Sequence, residues 1–424
     1  MPSTADPGWW KTPEETSRTI LPPETWIRIF ELATIVPWAL ETETRDPFGV
    51  SAPLMPREER DALNRSFVTK RALVLVCKQW WKLSLPFLYE IVTAHCQEGL
   101  SRLYRTLIES SDPADVVEAR LINVRRIHCT LDPEESFYYN WTNLAKIIQN
   151  SPNLVIFNIH ARGHATRSRY EMSWRMVAAL KLRSGTLRVL DWDLKNVTGM
   201  EGKYERRLLA HLPNLRILHV SGDKPWLFFF PQPSELTPVS MPYLVSTSWA
   251  RQGCSSHLTV VDELPSLHSL EIAERINPNM NGLPPTNICS SITSLTLHGQ
   301  DMPWDPNDYG LQCAYKALPN ITQLVLWMYT WENFPFAASL PPGIEKLGLG
   351  GQERKPSKNS VYKQLFENLY TIKASGLRVV RFIGGGDWSL LPQRSPKVLL
   401  RLQELAPTRS FRVARGGPER EAVG

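Results

Sequence analysis

The chain has 424 residues, of which 42% are hydrophobic and 21% charged, and its net charge is +6. This length exceeds one ordinary compact core, so we expect two or three domains or one elongated repeat array. The longest apolar runs fall far short of the ~20 residues of a membrane-spanning helix, and the first residues do not resemble a secretory signal. We expect an intracellular protein of the cytoplasm or nucleus, with six unpaired cysteines and no membrane contact.

The first predicted element is a helix in the stretch LPPETWIRIFELA, residues 21–33. Apolar residues recur there from Trp26 at the i, i+3, i+4, i+7 spacing of one helical face, and two prolines preset the first turn. We expect residues 1–20 to be disordered. The Pro- and charge-rich residues 34–68 are expected to form a solvent-exposed loop.

A second helix is predicted from Arg71, where the same apolar spacing runs through Leu73, Val76, Cys77 and Trp80. The piece LPFLYEIV that follows is too short to be a stable helix alone. These helices are too few to bury all their apolar surface among themselves. They either cap the next domain or dock into a groove of a partner, and the residues alone leave both possibilities open.

Ten copies of one pattern follow, with apolar residues at positions n, n+3 and n+5, and the copies at 124 and 244 are weaker. The copies start at residues 124, 154, 187, 215, 244, 267, 292, 321, 344 and 377. Positions n+3 and n+5 alternate with polar neighbours, as in a strand with one buried face, and helix-like segments such as NLAKIIQ and WRMVAALKL lie between copies. A generic α/β domain is the alternative, which ten copies disfavour.

A strand and a returning helix every ~20–30 residues are typical of leucine-rich repeats. The fold class predicted for residues 92–392 is therefore α/β, an irregular leucine-rich-repeat solenoid of parallel strands with returning helices. The asparagine that this repeat family places after its strand is mostly missing from the sequence.

The last segment, residues 393–424, carries seven Arg or Lys against three Glu. We expect a basic, poorly ordered tail. Such a tail can also bind nucleic acid through phosphates, which is the weaker interpretation. No phosphate-binding loop, GxSxG elbow or HExxH motif is present, and the sequence predicts no enzyme activity, no cofactor and no metal.

The N-terminal stretches LPPETWIRIF and LVLVCKQWWKLSLPFLYE, taken together, resemble an F-box over residues 21–91, as found in the F-box proteins that are numerous in mushroom-forming fungi. The residues that match the family pattern are Leu21, Pro22, Glu24, Ile27, Ile29, Phe30, Val76, Cys77, Trp80, Leu88 and Tyr89. The insert 34–68 is a departure, because an ordinary F-box joins these helices by a short link.

The resemblance implies the substrate-recognition subunit of an SCF-type cullin–RING ubiquitin ligase. F-box proteins bind the Skp adaptor through the F-box and present a protein substrate on a second, repeat-built domain, with no catalytic residues of their own. The matched residues are then the expected adaptor-binding set. The alternative is a non-catalytic leucine-rich-repeat scaffold that binds no adaptor.

Partners of leucine-rich arrays usually meet the concave strand face or its adjoining loops. Outward strand positions and a nearby aromatic cluster give the expected substrate-binding set, which is Arg216, His268, Gln323, Trp327, Tyr329, Trp331 and Arg378. Exposed Trp and Tyr near Arg are typical of interface hot spots. The aromatic residues could instead pack between repeats.

Overall fold

The structure is a computed structural model. It describes residues 21–44, 46–48, 56–110, 112–131, 137–161, 174–193, 202–221, 238–249, 262–272, 286–298, 314–328, 340–351, 365, 369, 372, 375–383 and 412–415. The predicted disorder of residues 1–20, the aromatic residues Tyr329 and Trp331, and most of the basic tail lie outside the described residues.

Three helices open the described chain, and we call them the helical unit: α1 (Pro23–Thr34), α2 (Pro56–Val76) and α3 (Lys78–Glu90). Strands and helices then alternate. They are β1 (Ile91–Ala94), α4 (Gln97–Leu107), α5 (Ala114–Ile122), β2 (Arg126–Leu131), α6 (Phe137–Gln149), β3 (Ile156–Ala161), α7 (Trp174–Lys181), β4 (Val189–Asp193), α8 (Gly202–Leu209), β5 (Ile217–Ser221), β6 (Ser246–Trp249), β7 (Ser269–Ile272), α9 (Thr286–Cys289), β8 (Ser294–His298), β9 (Gln323–Met328), β10 (Lys346–Gly351), β11 (Val379–Ile383) and β12 (Arg412–Arg415).

The twelve strands form one parallel sheet in which every strand neighbours the next one in sequence. Each of the ten predicted repeat copies begins two residues before a strand, from β2 to β11. The pattern residues are buried, as Leu187, Leu190 and Trp192 show in the third copy. The predicted solenoid of parallel strands is confirmed, and its assignment to the leucine-rich-repeat family stays a prediction.

Successive turns of the solenoid are tied together by backbone hydrogen bonds just before the strands. Arg188 N donates to Val155 O at 2.8 Å, Arg216 N to Arg188 O at 2.7 Å, and Val245 N to Arg216 O at 2.8 Å. The same bond recurs from Arg125 along the array. Each repeat is therefore held by its nearest neighbours, as expected for a solenoid.

Polar side chains in the turns add a second set of bonds between repeats. Asn153 Nδ2 donates to Ile122 O at 2.8 Å and Asn320 Nδ2 to Ser290 O at 2.7 Å. These asparagines precede the strand, whereas the leucine-rich-repeat family places its asparagine after the strand. They bond to carbonyl groups of the preceding turn and so connect neighbouring repeats.

Two strands lie where the sequence predicts none. β1 follows α3 directly and pairs with β2, with Ile91 opposite Arg126. β12 pairs with β11, with Val379 opposite Arg412. The expectation of a poorly ordered C-terminal tail is therefore wrong for residues 412–415.

The helical unit also differs from the prediction. α2 begins at Pro56, so residues 56–68 of the insert 34–68 are helix instead of solvent-exposed loop. The predicted continuous helix from Arg71 is wrong as well, because α2 ends at Val76 and Cys77 adopts extended backbone before α3. Among the described helices, none is long and apolar enough to cross a membrane.

Candidate protein-interaction sites

Three aromatic side chains hold α1 against α3. The ring centroids of Trp26 and Trp80 lie 4.8 Å apart, as do those of Phe30 and Trp80. Phe30 is fully buried. The Phe30 side chain therefore stabilises the helical unit from inside, and the expectation that it contacts an adaptor directly is wrong.

Other members of the expected adaptor-binding set also have internal contacts. The Cys77 Sγ accepts a hydrogen bond from Trp80 N at 3.5 Å and caps α3, although Cys77 itself is exposed. Tyr89 packs against the core of the sheet and under the Arg120 guanidinium, 5.6 Å from the ring centroid. Burial raises the pKa of the Tyr89 hydroxyl. Leu88 is half-buried on the same helix.

The outer surface of the helical unit carries several exposed apolar side chains among its charged ones. The exposed members of the expected set are Leu21, Pro22, Glu24, Ile27, Ile29, Val76 and Cys77. Sequence patterns miss four further exposed apolar residues, which are Leu32, Ile35, Val68 and Leu75. Leu32 is 60% exposed and Leu75 is 83% exposed. Leu32 lies three residues beyond Ile29, so the two share one outward stripe of α1.

The helical unit is joined to the first edge of the sheet. Ala39, Leu63 and Ile91 form a small buried cluster of their own. The Ser66 hydroxyl of α2 donates to Thr34 O at 2.6 Å, at the end of α1. These contacts connect α1, α2 and β1, so the insert contributes to the core instead of extending into solvent.

A long groove runs along the sheet on the face opposite the helices of the array. It is lined mainly by outward side chains of β2 to β9 and encloses about 670 Å³. From the strands and the residues just before them these are Arg126, Ile156, Asn158, Val189, Asp191, Ile217, His219, Ser246, His268, Ser269, Glu271, Thr293, Ser294, Thr296, His298, Gln323, Val325 and Trp327. The groove is therefore polar and charged, with a few apolar positions.

Carboxylates and histidines face each other along the floor of the groove. Glu271 Oε1 lies 2.8 Å from His298 Nε2, and Glu271 Oε2 lies 3.7 Å from His219 Nε2. Burial in the groove raises the pKa of Glu271, but the charges of His219 and His298 and the His298 hydrogen bond outweigh it and lower the pKa to about 2. His160 and Asp191 repeat the arrangement at 3.5 Å.

Part of the expected substrate-binding set lines this groove. His268, Gln323 and Trp327 do so, and the Trp327 ring stacks on His298 at 6.1 Å with an interplanar angle of 8°. Trp327 lies over Gly350, where an added Cβ would collide with its ring. In contrast, Arg378 is largely exposed, pairs with a neighbouring carboxylate at 3.9 Å and does not line the groove.

A segment of the insert also lies in the groove, and we call residues 36–48 the linking segment. Ala39 O accepts a hydrogen bond from Arg126 Nη1 of β2 at 2.9 Å. Glu43 pairs with Arg216, which directly precedes β5. Near the other end, Lys346 Nζ of β10 lies 5.6 Å from the centroid of the Phe48 ring. The linking segment thus follows the groove across most of its strands, which no sequence pattern predicts.

The described residues offer no metal site, since none of their His, Cys, Asp and Glu side chains form a group of three or more that could hold an ion. Cys77, Cys96 and Cys129 are not in disulfides. Burial raises the pKa of the Cys129 thiol to about 12, so this thiol is inert at neutral pH.

Comparisons with known proteins add no family. No family model matches the chain, and no curated protein matches it. A crystal structure of a Bacteroides fragilis protein, a structural-genomics target, aligns over 75% of this chain and 70% of that chain with 11% identity and a TM-score of 0.28. So distant a likeness carries no argument about function.

Proposed function

We propose that this chain is the substrate-recognition subunit of an SCF-type cullin–RING ubiquitin ligase. The helical unit binds the Skp adaptor, and the groove of the array binds a protein substrate. The chain performs no chemistry itself. It holds a substrate lysine near the ligase, which raises the effective concentration of the reacting groups.

The observation that carries the proposal is the apolar outer face of the helical unit. In α1, Phe30 fills the interior while Ile29 and Leu32 face solvent. The outer face of α1 thus carries an exposed apolar stripe beside the charged Arg28 and Glu31, and exposed apolar surface rimmed by polar residues is typical of a protein-binding site. Burying each large side chain contributes about 1.5–3 kcal/mol, so an adaptor that covers this face has a strong driving force for binding.

The F-box resemblance supports the same assignment, because its motif residues sort into two groups. Phe30 and Trp80 pack inside the helical unit, whereas Leu21, Ile27 and Val76 are exposed on its surface. A small adaptor-binding domain needs both groups. One group keeps the helices together, and the other contacts the partner.

A leucine-rich-repeat scaffold without an adaptor is the second candidate. The observation in its favour is the cluster of Ala39, Leu63 and Ile91, through which the helical unit packs on the first strand. A terminal cap on a solenoid makes such contacts too. The two candidates differ in the outer face of α1. In a ligase subunit the adaptor covers this face, whereas in a terminal cap the face stays exposed.

The test is a titration of the full-length chain with purified Skp adaptor. The variant is Ile29→Ser with Leu32→Ser, which changes the outer face and leaves the buried Phe30 intact. The matched control is Trp174→Ser, because Trp174 is 70% exposed on α7 of the array. Two central apolar contacts at about 2 kcal/mol each predict at least a hundredfold weaker adaptor binding for the double variant.

The control should bind the adaptor as the wild type does, and all three proteins should give the same circular dichroism. Equal adaptor binding by the double variant and the wild type would contradict the assigned surface. If the wild type itself binds no adaptor, the ubiquitin-ligase proposal fails and the scaffold is supported.

A further inference from the structure

The groove that the proposed function gives to a substrate is already bordered by a peptide, the linking segment of the chain itself. Its residues 38, 41, 43, 44, 46 and 47 help to line the groove. An internal peptide in a binding groove shows which side chains the groove accepts. The contacts of Glu43 and Phe48 are the informative ones.

The Phe48 ring lies in a notch that the sheet leaves open. Gly348 of β10 has no side chain, and an added Cβ there would stand 3.4 Å from Phe48 Cζ and 3.1 Å from the Val325 side chain. An added Cβ at Gly348 would collide first with the Ile383 side chain, which shares the space over this glycine with the Phe48 ring. Lys346 Nζ lies 5.6 Å from the ring centroid, within reach of a cation–π contact. The notch therefore fits an aromatic side chain.

The chain before this ring presents it in a defined way. Asp46 Oδ1 accepts a hydrogen bond from Phe48 N at 2.9 Å, which forms an Asx turn. Five residues before the ring, the Glu43 carboxylate pairs with the Arg216 guanidinium. These contacts define a pattern in which an acidic residue is followed, five positions later, by an aromatic residue.

The contacts of Glu43 and Phe48 are too weak to hold the linking segment permanently in place. The Glu43 side chain stays 65% exposed in its ion pair, and Phe48 is only partly buried. Exposed ion pairs contribute little in water. The segment stays in place chiefly because it is tethered, which gives it an effective concentration in the millimolar range. A separate ligand of the same pattern, with tighter contacts, can displace it.

We infer that the linking segment is an internal pseudo-substrate of the groove, and that the ligand of the groove is an extended peptide with a carboxylate residue followed five positions later by an aromatic residue. This inference rests on the proposed function, in which the groove is the substrate site. Substrate binding then requires release of residues 43–48 from Arg216 and the Gly348 notch.

The probe is a fluorescent synthetic peptide with the sequence of residues 36–48. It is titrated by anisotropy against the full-length wild type and against the variant Glu43→Ala with Phe48→Ala, which removes the internal competitor. The control peptide carries Glu43→Lys and Phe48→Ala. We expect the variant to bind the probe peptide at least about tenfold more tightly than it binds the control peptide. The variant should also bind the probe more tightly than the wild type does.

A charge exchange tests the contact itself. Arg216→Glu in the groove should weaken binding of the probe to the variant, and a peptide with Glu43→Arg should restore it. A variant that binds the probe and the control peptide equally, or binds neither, overturns the inference and makes the linking segment a fixed brace.

Hydrogen exchange on the wild type keeps the test independent of the variants' folding. Excess probe should raise exchange in residues 43–48, and unchanged exchange there at saturating probe contradicts the inference. Adaptor capture from the same samples separates the two proposals. If the chain captures the adaptor but does not bind the probe specifically, only the pseudo-substrate inference is refuted. If it binds the probe specifically but captures no adaptor, only the ligase assignment is refuted.

Discussion

The helical unit and the array treat apolar surface in opposite ways. Among the described residues, eight of the twelve large exposed apolar side chains belong to the helical unit and its immediate ends. The array, which is much longer, accounts for the other four, Ile122, Trp174, Leu182 and Tyr243. In the array each repeat covers the next, while the helical unit has a neighbour on one side only.

This difference separates two kinds of recognition within one chain. The outer face of α1 and the end of α2 offer apolar side chains, for which the driving force is removal of surface from water. The groove offers charged and polar groups, such as Asp191 and Glu271, which select a partner by electrostatic complementarity. A single protein partner could not satisfy both surfaces with the same chemistry.

The substitution with the largest expected effect destabilises the array and leaves the helical unit intact. Asp262 is fully buried and accepts hydrogen bonds from Arg206 Nη2 at 2.7 Å and from Val239 N at 2.9 Å. Asp262→Ala leaves the Arg206 charge buried without its carboxylate and should lower the free energy of unfolding of the array by about 3–5 kcal/mol. Urea denaturation followed by circular dichroism measures it.

The matched control replaces both partners of this ion pair, as Arg206→Met with Asp262→Leu. This double variant should lose less stability than Asp262→Ala, since no unpaired charge remains buried. A midpoint for Asp262→Ala equal to that of the wild type would show that the pair contributes nothing to the array.

The next effect breaks the helical unit and spares the array. Phe30→Ala removes the buried ring that packs against both Trp26 and Trp80. It should lower the free energy of unfolding by about 3–5 kcal/mol, towards the lower end if the neighbouring side chains fill the cavity. Hydrogen exchange should rise in α1 and α3 while β3 to β9 keep their protection. Leu32→Ala, on the outer face, should stay within about 0.5 kcal/mol of the wild type.

A smaller effect tests how closely neighbouring turns approach. An added Cβ at Gly376 would collide with Pro342 O and stand 3.3 Å from Ile344 O in the preceding turn. Gly376→Ala should therefore cost about 1–3 kcal/mol and raise hydrogen exchange in β10 and β11. Gly185→Ala is the control, because an added Cβ there meets nothing within 4 Å; a cost as large as that of Gly376→Ala would refute the steric explanation.

The smallest effect concerns the charged groove and depends on pH. The pKa of Glu271 falls to about 2 in the folded chain, from an ordinary value of 4.5. The unfolded state thus binds more protons between these values, so the stability that this carboxylate contributes is present above pH 4.5 and is lost as pH falls towards 2. Glu271→Gln should not lose this stability between pH 4.5 and 2. If its free energy of unfolding falls with pH in parallel with that of the wild type, the assigned role of Glu271 is wrong.

The strands of the array could be predicted from the sequence because each one obeys the same local rule. Residues at n, n+3 and n+5 must be buried in every turn, so ten strand starts are readable one at a time. β1 and β12 follow this rule weakly or not at all. The anchoring position of β1 is Tyr89, which still belongs to α3, and its n+5 residue is the small Ala94. β12 lies in a basic stretch, RVAR, with few apolar positions.

The helical unit and the linking segment were less predictable for a different reason. The apolar spacing continues through Cys77, so it cannot show that the helix breaks there and that the Sγ caps a new one. The place of Phe48 depends on a contact with β10, far away in sequence, and on the absence of a side chain at Gly348. No local periodicity encodes such a contact.

The order in which the chain leaves the ribosome gives the linking segment a particular history. Each strand can pair with its predecessor once a further ~20–30 residues are made, whereas Phe48 waits for β10, roughly 300 residues later. At about 5–20 residues per second this delay is roughly 15–60 s. The segment can therefore meet Arg126 and Arg216 early, and the Phe48 contact forms as one of the last steps of maturation.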